Sequence, residues 1–234
     1  MLQATILISA LFASNSPSTL IRVGPDVVDA RAASQAPAGL ATPDAAHAAV
    51  GRARVLADEI IAASYPEFKT LDIRIKPFRS REDYFKVRFG IPQYFFAQMR
   101  YLLFINPRVF ELQAPEAGVR AIIAHELGHV AYFRMRNRVR LVGLVRLTSK
   151  RFTAEFERWA DLKAISLGYG EGLKEYRRWL YQNVPASKLS EKQRNYFSPD
   201  EIDAILSASR NRPQLIEYWL KHVPLSLNEI LATK

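Results

Sequence analysis

The 234-residue chain carries 33 Lys and Arg against 23 Asp and Glu, a formal net charge of +10 with a pI near 9.9, and 49% of its residues are hydrophobic. That length and apolar content suffice for one substantial domain with a packed core. The absence of Cys excludes disulfides, zinc ribbons and thiol catalysis, so any metal must be held by His and carboxylates.

Residues 4–13, ATILISALFA, form an apolar run of signal-peptide length that is too short to span a bilayer. With Ala13 and Ser14 as small residues at a cleavage site, residues 1–14 read as a signal peptide. This predicts an exported protein, whether periplasmic, secreted or membrane-associated. No Lys or Arg precedes the run, so a buried strand or a misplaced start, with a cytoplasmic location, stays open. Residues 15–41 are rich in Ala, Pro and Ser and read as a flexible lead-in to a domain over 42–234. Thr42-Pro43-Asp44 is a helix-start signal, and the helix it opens runs to about Tyr65 with Val50, Val55, Leu56, Ile60 and Ile61 facing a core. His47 has no metal-binding neighbour in sequence and is not expected as a ligand. Residues 71–78 alternate Leu71, Ile73, Ile75 with Asp72, Arg74, Lys76, the pattern of a half-buried strand. Residues 81–98 are aromatic and mixed and give no clear element. Tyr101 to Phe104 reads as a second strand, closed by Ile105-Asn106-Pro107.

Residues 121–130, AIIAHELGHV, hold the pattern HExxH. On a helix His125 and His129 lie one turn apart on the same face, so both imidazoles can reach one divalent ion. Glu126 is placed where its carboxylate can take a proton from a water on that ion without itself being a ligand. Val119, Ile122, Ile123, Leu127 and Val130 form an apolar stripe beside the His face, and Pro115 with Glu116 suits a first turn. Gly128 is a poor helix residue, by about 1 kcal/mol against Ala, which a close approach of another backbone would explain. The competing reading of the same residues is a buried polar cluster or an exposed patch.

A catalytic zinc needs a third protein ligand and an open fourth position. Residues 152–168 read as a helix with Thr153 as N-cap and Gly168 at its C-terminal stop. Glu157 and Asp161 share a face there with Ala160 and Ala164, small enough to let this helix approach the first. Glu157 is then the candidate third ligand, and Asp161 the acceptor for the outer N–H of a ligand His. Glu155 is a rival ligand, read otherwise as a helix N-terminal charge.

The combination HExxH with a later ExxxD resembles the gluzincin zinc metallopeptidases, thermolysin-like and M48-type enzymes among them. The resemblance covers roughly residues 101–169. It implies an α+β, mostly helical zincin-like domain with a small sheet beside the HExxH helix. It also implies one zinc held by His125, His129 and Glu157, Glu126 as general base, and Asp161 as partner of His125. The implied activity is a metallopeptidase, in the first instance an endopeptidase, acting on protein or peptide substrates. The strand before the active helix would be an edge strand to which substrate adds. A metzincin pattern would need a third His shortly after His129, and the chain continues VAYFRM instead.

Residues 134–151 carry Arg134, Arg136, Arg138, Arg140, Arg146, Lys150 and Arg151 with no acid, interleaved with Val and Leu. They read as a basic amphipathic segment on an anionic membrane surface, or as a hairpin over the active site with its Arg side chains in water. The first of these supports the alternative function: an inactive zincin-fold protein serving as a membrane-surface or protein-binding module. No nucleic-acid-binding module is recognisable, and a specific nucleic-acid partner is not expected. Further helices are expected from Gly170 to Tyr181, from the capping box Ser198-Pro199-Asp200-Glu201 to about Ser209, and from Pro213 past Trp219. Tyr196, Arg194 and His222 are candidates for stabilising an oxyanion, each with a packing role as the alternative.

Overall fold

The computed structural model describes residues 43–89, 100–135 and 149–233. The expected signal peptide, the lead-in, Thr42 and most of the basic segment 134–151 lie outside the described residues. In chain order these contain helix α1 (Pro43–Ser64), a single 3-10 turn (Pro66–Phe68), and strands β1 (Asp72–Pro77), β2 (Phe85–Phe89) and β3 (Arg100–Ile105). Short helix α2 (Arg108–Glu111) leads into α3 (Glu116–Met135), α4 (Lys150–Ser166) and α5 (Gly170–Asn183). Helices α6 (Ala186–Asn195), α7 (Pro199–Asn211), α8 (Gln214–Lys221) and α9 (Leu227–Ala232) complete the chain. The architecture is α+β, mostly helical with one small sheet.

The sheet order is β1-β3-β2, with β3 parallel to β1 and antiparallel to β2. The strand preceding the HExxH helix is therefore central, which corrects the expectation of an edge. The reason lies in residues 81–98, whose pattern was unreadable: they supply β2, with Phe85 and Val87 turned inward. β3 has the composition of a central strand. Tyr101, Leu103 and Ile105 are buried on one face, and Leu102 and Phe104 are half-covered on the other.

α1 packs its small residues against the core. Ala49, Ala53, Leu56, Ala57, Ile60 and Ile61 recur at helical spacing and are buried, whereas Val55 points outward at 57% exposure. Tyr65 closes this helix onto the next layer by donating its hydroxyl to the Ala124 carbonyl at 2.9 Å, in the middle of α3. α3 is not the one-sided helix its apolar stripe suggested. It is buried without interruption from Ala121 to Phe133, enclosed by α1, β2, α4 and α5.

Two close crossings fix α3 against its neighbours. At Gly128 a Cβ would sit 3.4 Å from the Ala160 carbonyl oxygen, so α4 approaches backbone to backbone there, with Ala160 and Ala164 fully buried. At the α5 crossing a Cβ on Gly172 would collide with the Ala117 carbonyl oxygen, and one on Gly118 would lie 3.1 Å from Tyr176 Cβ. α4 begins one turn earlier than expected. Ser149 is the N-cap, its side chain accepting from Phe152 N–H at 3.3 Å, and Thr153 is already inside the helix. Its end is as expected: Gly168 has φ +90°, Tyr169 N–H bonds the Ala164 carbonyl and Gly168 N–H the Ile165 carbonyl. The capping box Ser198–Glu201 forms with both its hydrogen bonds.

The two kinds of helical glycine separate by experiment. Gly172→Ala should lower stability by about 1–3 kcal/mol in urea unfolding, because the added methyl meets backbone that cannot yield. Gly51→Ala, with nothing near its Cβ, should raise it by about 0.5–1 kcal/mol. A neutral Gly172→Ala would show that the α3–α5 crossing is looser than described.

Candidate metal centre

The crossing of α3 and α4 at Gly128 and Ala160 sets three side chains around one point. Glu157 Oε2 lies 3.1 Å from His129 Nε2 and 3.3 Å from His125 Nε2, and all three donor atoms fall within 4.8 Å of one another. Two donors each bound to a tetrahedral ion at about 2.0–2.1 Å would be about 3.3 Å apart, and the two His–Glu157 separations match that spacing. Two imidazole nitrogens and a carboxylate oxygen form a donor set that suits zinc among the divalent ions. No other such group occurs among the described residues.

His125 is aimed by a partner on each ring nitrogen. Asp161 Oδ1 accepts from its Nδ1–H at 2.7 Å, which turns Nε2 toward the site. Asp161 is itself fully buried, and a lone carboxylate there would be strongly disfavoured. Three donors hold it charged: the His125 ring, Arg177 Nη2 at 2.7 Å and the Phe197 backbone N–H at 3.1 Å. Burial pushes the Asp161 carboxyl up, but Arg177, His125 and that N–H together bring it below its ordinary value. Burial likewise pushes His125 down, yet Asp161 and Glu157 raise it to about 9. For Glu157, burial is outweighed by the two His, and its carboxyl falls below the usual range.

Glu126 behaves in the opposite way. It is 5% exposed, and burial raises its carboxyl above the usual value. It borders a cavity of about 30 Å³, large enough for at least one water, with Asp83, Tyr176, Arg177, Lys192 and Tyr196 among its walls. The Tyr196 ring centroid is 5.9 Å from that of His125, and the Arg177 guanidinium lies 4.4 Å over its face. Burial and nearby Glu157 raise the Tyr196 hydroxyl well above its ordinary value, so it stays an O–H donor.

Family models, curated proteins and solved structures were all compared with the chain, and none matches it.

The structure thus brings together His125, Glu126, His129, Glu157 and Asp161, and of the three oxyanion candidates it places Tyr196 beside them. Arg194 is exposed and contributes only its carbonyl, to Arg158. His222 stacks on Tyr218 at 4.6 Å on the exposed side of α8. Glu155 points away from the triad and pairs with Arg151 at 2.9 Å. His47 is exposed on α1 and belongs to no metal-ligating group. Residues beyond those expected are Arg177, the Phe197 N–H and Arg158. Arg158 is buried, bonds Glu201 at 2.8 Å and lies 4.7 Å over the Phe197 ring, which steadies the segment that supplies the N–H. Arg177 had a readable signal, a cation on the same helix face as Leu173, Tyr176 and Leu180, where burial demands a partner.

Three outcomes follow. Arg177→Met should cost about 3–5 kcal/mol in denaturant unfolding, since it strands a buried carboxylate, with Asp161→Asn in the same chain recovering part of the loss. In the metal-free chain, His125 contributes stability that is full below its ordinary value of 6.5 and is lost as pH rises through about 9. Glu157 and Asp161, held low, contribute stability that is lost in acid. The melting temperature of the metal-free chain should therefore peak in mildly acidic solution. Zinc added near pH 7.5 in weak buffer should release about one proton per site, because His125 must give up its Nε2 proton to bind. Zinc uptake without proton release would contradict this assignment.

Proposed function

We propose that the protein is a zinc-dependent peptidase of zincin-like fold that hydrolyses peptide bonds with Glu126 as general base. The observation that carries this reading is the convergence of His125 Nε2, His129 Nε2 and Glu157 Oε2 on one point, with Glu126, the residue after His125, buried at the wall of a water-sized cavity that His125 also lines. A structural metal site needs no such base. The resemblance of HExxH and ExxxD to the gluzincins points the same way.

His125, His129 and Glu157 would hold a divalent ion, which would supply Lewis acidity to the scissile carbonyl and lower the pKa of a water. Glu126 would take a proton from the attacking water, and its carboxyl, raised by burial, would suit it to pass that proton to the departing amine. Asp161 keeps the His125 ring in one tautomer and orientation throughout. Tyr196, protonated at neutral pH, is the donor available to the developing oxyanion. The edge strand next to the cavity is β2, since Asp83, Tyr84 and Phe85 line it. Among the described residues β2 pairs only with β3, and an extended substrate can pair along its other side.

The test is metal content and proteolysis of a general protein substrate, measured together. Wild type should carry close to one zinc per chain, and a chelator should abolish its activity reversibly. Glu126→Gln should keep the zinc and lose about 10²–10⁴ in rate. The same variant should melt slightly higher than wild type, since it removes a buried acid that resists ionisation. His129→Ala and Glu157→Ala should lose the metal. A folded wild type that takes up no zinc when supplied with it would overturn the proposal.

A further inference from the structure

The sheet buries one face and leaves the other to solvent, and the outward face has a distinctive composition. The pairing register aligns Arg74, Leu102 and Arg88 in one row across the strands, and Lys76, Phe104 and Lys86 in the next. Cations thus occupy both outer strands, with two apolar side chains between them on the central one. With strands about 4.8 Å apart and same-face residues about 6.7 Å apart, the four cations mark the corners of a rectangle of roughly 10 by 7 Å. Arg74, Lys76 and Arg88 are exposed, while Lys86, Leu102 and Phe104 are half-buried. Among the described residues the one acid on this face is Asp72, taken up by Arg74 at 2.9 Å and Arg100 at 2.6 Å. Among the described residues, Lys76, Lys86 and Arg88 have no acidic partner within 4 Å.

We propose that this face docks the protein on an anionic lipid bilayer, the cations meeting lipid phosphates and Leu102 and Phe104 facing the interface between them. Charge complementarity selects the partner: the face has five cations against one acid, on a chain of net charge +10. The rings select lipid over single-stranded nucleic acid. A sheet that binds bases offers open aromatic faces for stacking. Here Lys86 Nζ and Arg88 Cζ each lie 5.7 Å from the Phe104 centroid, and Lys86 Nζ covers the Phe78 ring at 4.0 Å. Leu102 has no ring to offer. Long cationic side chains folded over an apolar centre are suited to a membrane interface, where stems lie on the apolar region and charges reach the headgroups. No helix among the described residues is long and apolar enough to cross a membrane. The docking face is independent of the peptidase reading.

The experiment is co-sedimentation of the full chain with vesicles of phosphatidylcholine alone or with a fraction of phosphatidylglycerol. Wild type should pellet with the anionic vesicles, less so as salt rises, and stay in solution with the neutral ones. Lys76→Glu, Lys86→Glu and Arg88→Glu combined should weaken partitioning on the order of a hundredfold or more. The corresponding triple Gln variant provides the same test with less charge strain, and circular dichroism checks that each variant folds. A folded triple variant that pellets like wild type overturns the proposal, as does equal sedimentation with neutral vesicles. Tighter capture of a single-stranded oligonucleotide than of vesicles, lost in the same variants, overturns it in favour of nucleic acid.

Discussion

Asp161 has no exposed surface, and a carboxylate in that position stays charged only if the protein surrounds it with donors. Its three donors come from three parts of the chain: His125 from α3, Arg177 from α5 and the Phe197 N–H from the segment before α7. Asp161 itself is on α4. One buried anion therefore ties together the elements that build the centre, and displacement of any one would leave an uncompensated charge. Arg158 and Glu201 repeat the device one turn away, joining α4 to the start of α7. The geometry at His125 is thus a property of four elements at once.

The same low-dielectric surroundings act oppositely on the two carboxylates nearest the triad. Glu157, touching both imidazoles, is held ionised. Glu126, whose side chain bonds no cation among the described residues, is pushed toward its neutral form. Burial disfavours the charge of both, and the partner decides which side of that each lands on.

The centre was legible because its parts obey helical spacing. His125 and His129 are one turn apart, as are Glu157 and Asp161, and Gly128 with Ala160 and Ala164 marks where the two helices touch. What was not legible depended on contacts far apart in sequence. Arg177 has meaning only beside Asp161. The central place of β3 depends on β2, whose short run Phe85–Phe89 sits within aromatic sequence that hides its alternation. Val55 fits a loose apolar pattern but lies off the face that the alanines of α1 turn inward. For α4, Ser149 captures Phe152 N–H before Thr153 can serve as a cap, since the helix continues one turn further back than its apolar period shows.

The sheet relates the buried centre to the surface. Because side chains alternate strictly along a strand, residues 101, 103 and 105 enter the core while 102 and 104 leave it, so the two faces answer to different demands. The inner face must fit α1 and α3, and its residues are closely packed and apolar. The outer face carries no such constraint, and yet it holds cations rather than the mixed charges of an ordinary solvated surface. A single acid, Asp72, offsets five of them. Mutual repulsion among these cations is a cost to the free fold, offset in part where Lys86 and Arg88 lie over the Phe78 and Phe104 rings. A negatively charged surface brought against that face removes the cost, and leaves α3 and the His125–His129–Glu157 cluster on the other side of the sheet undisturbed.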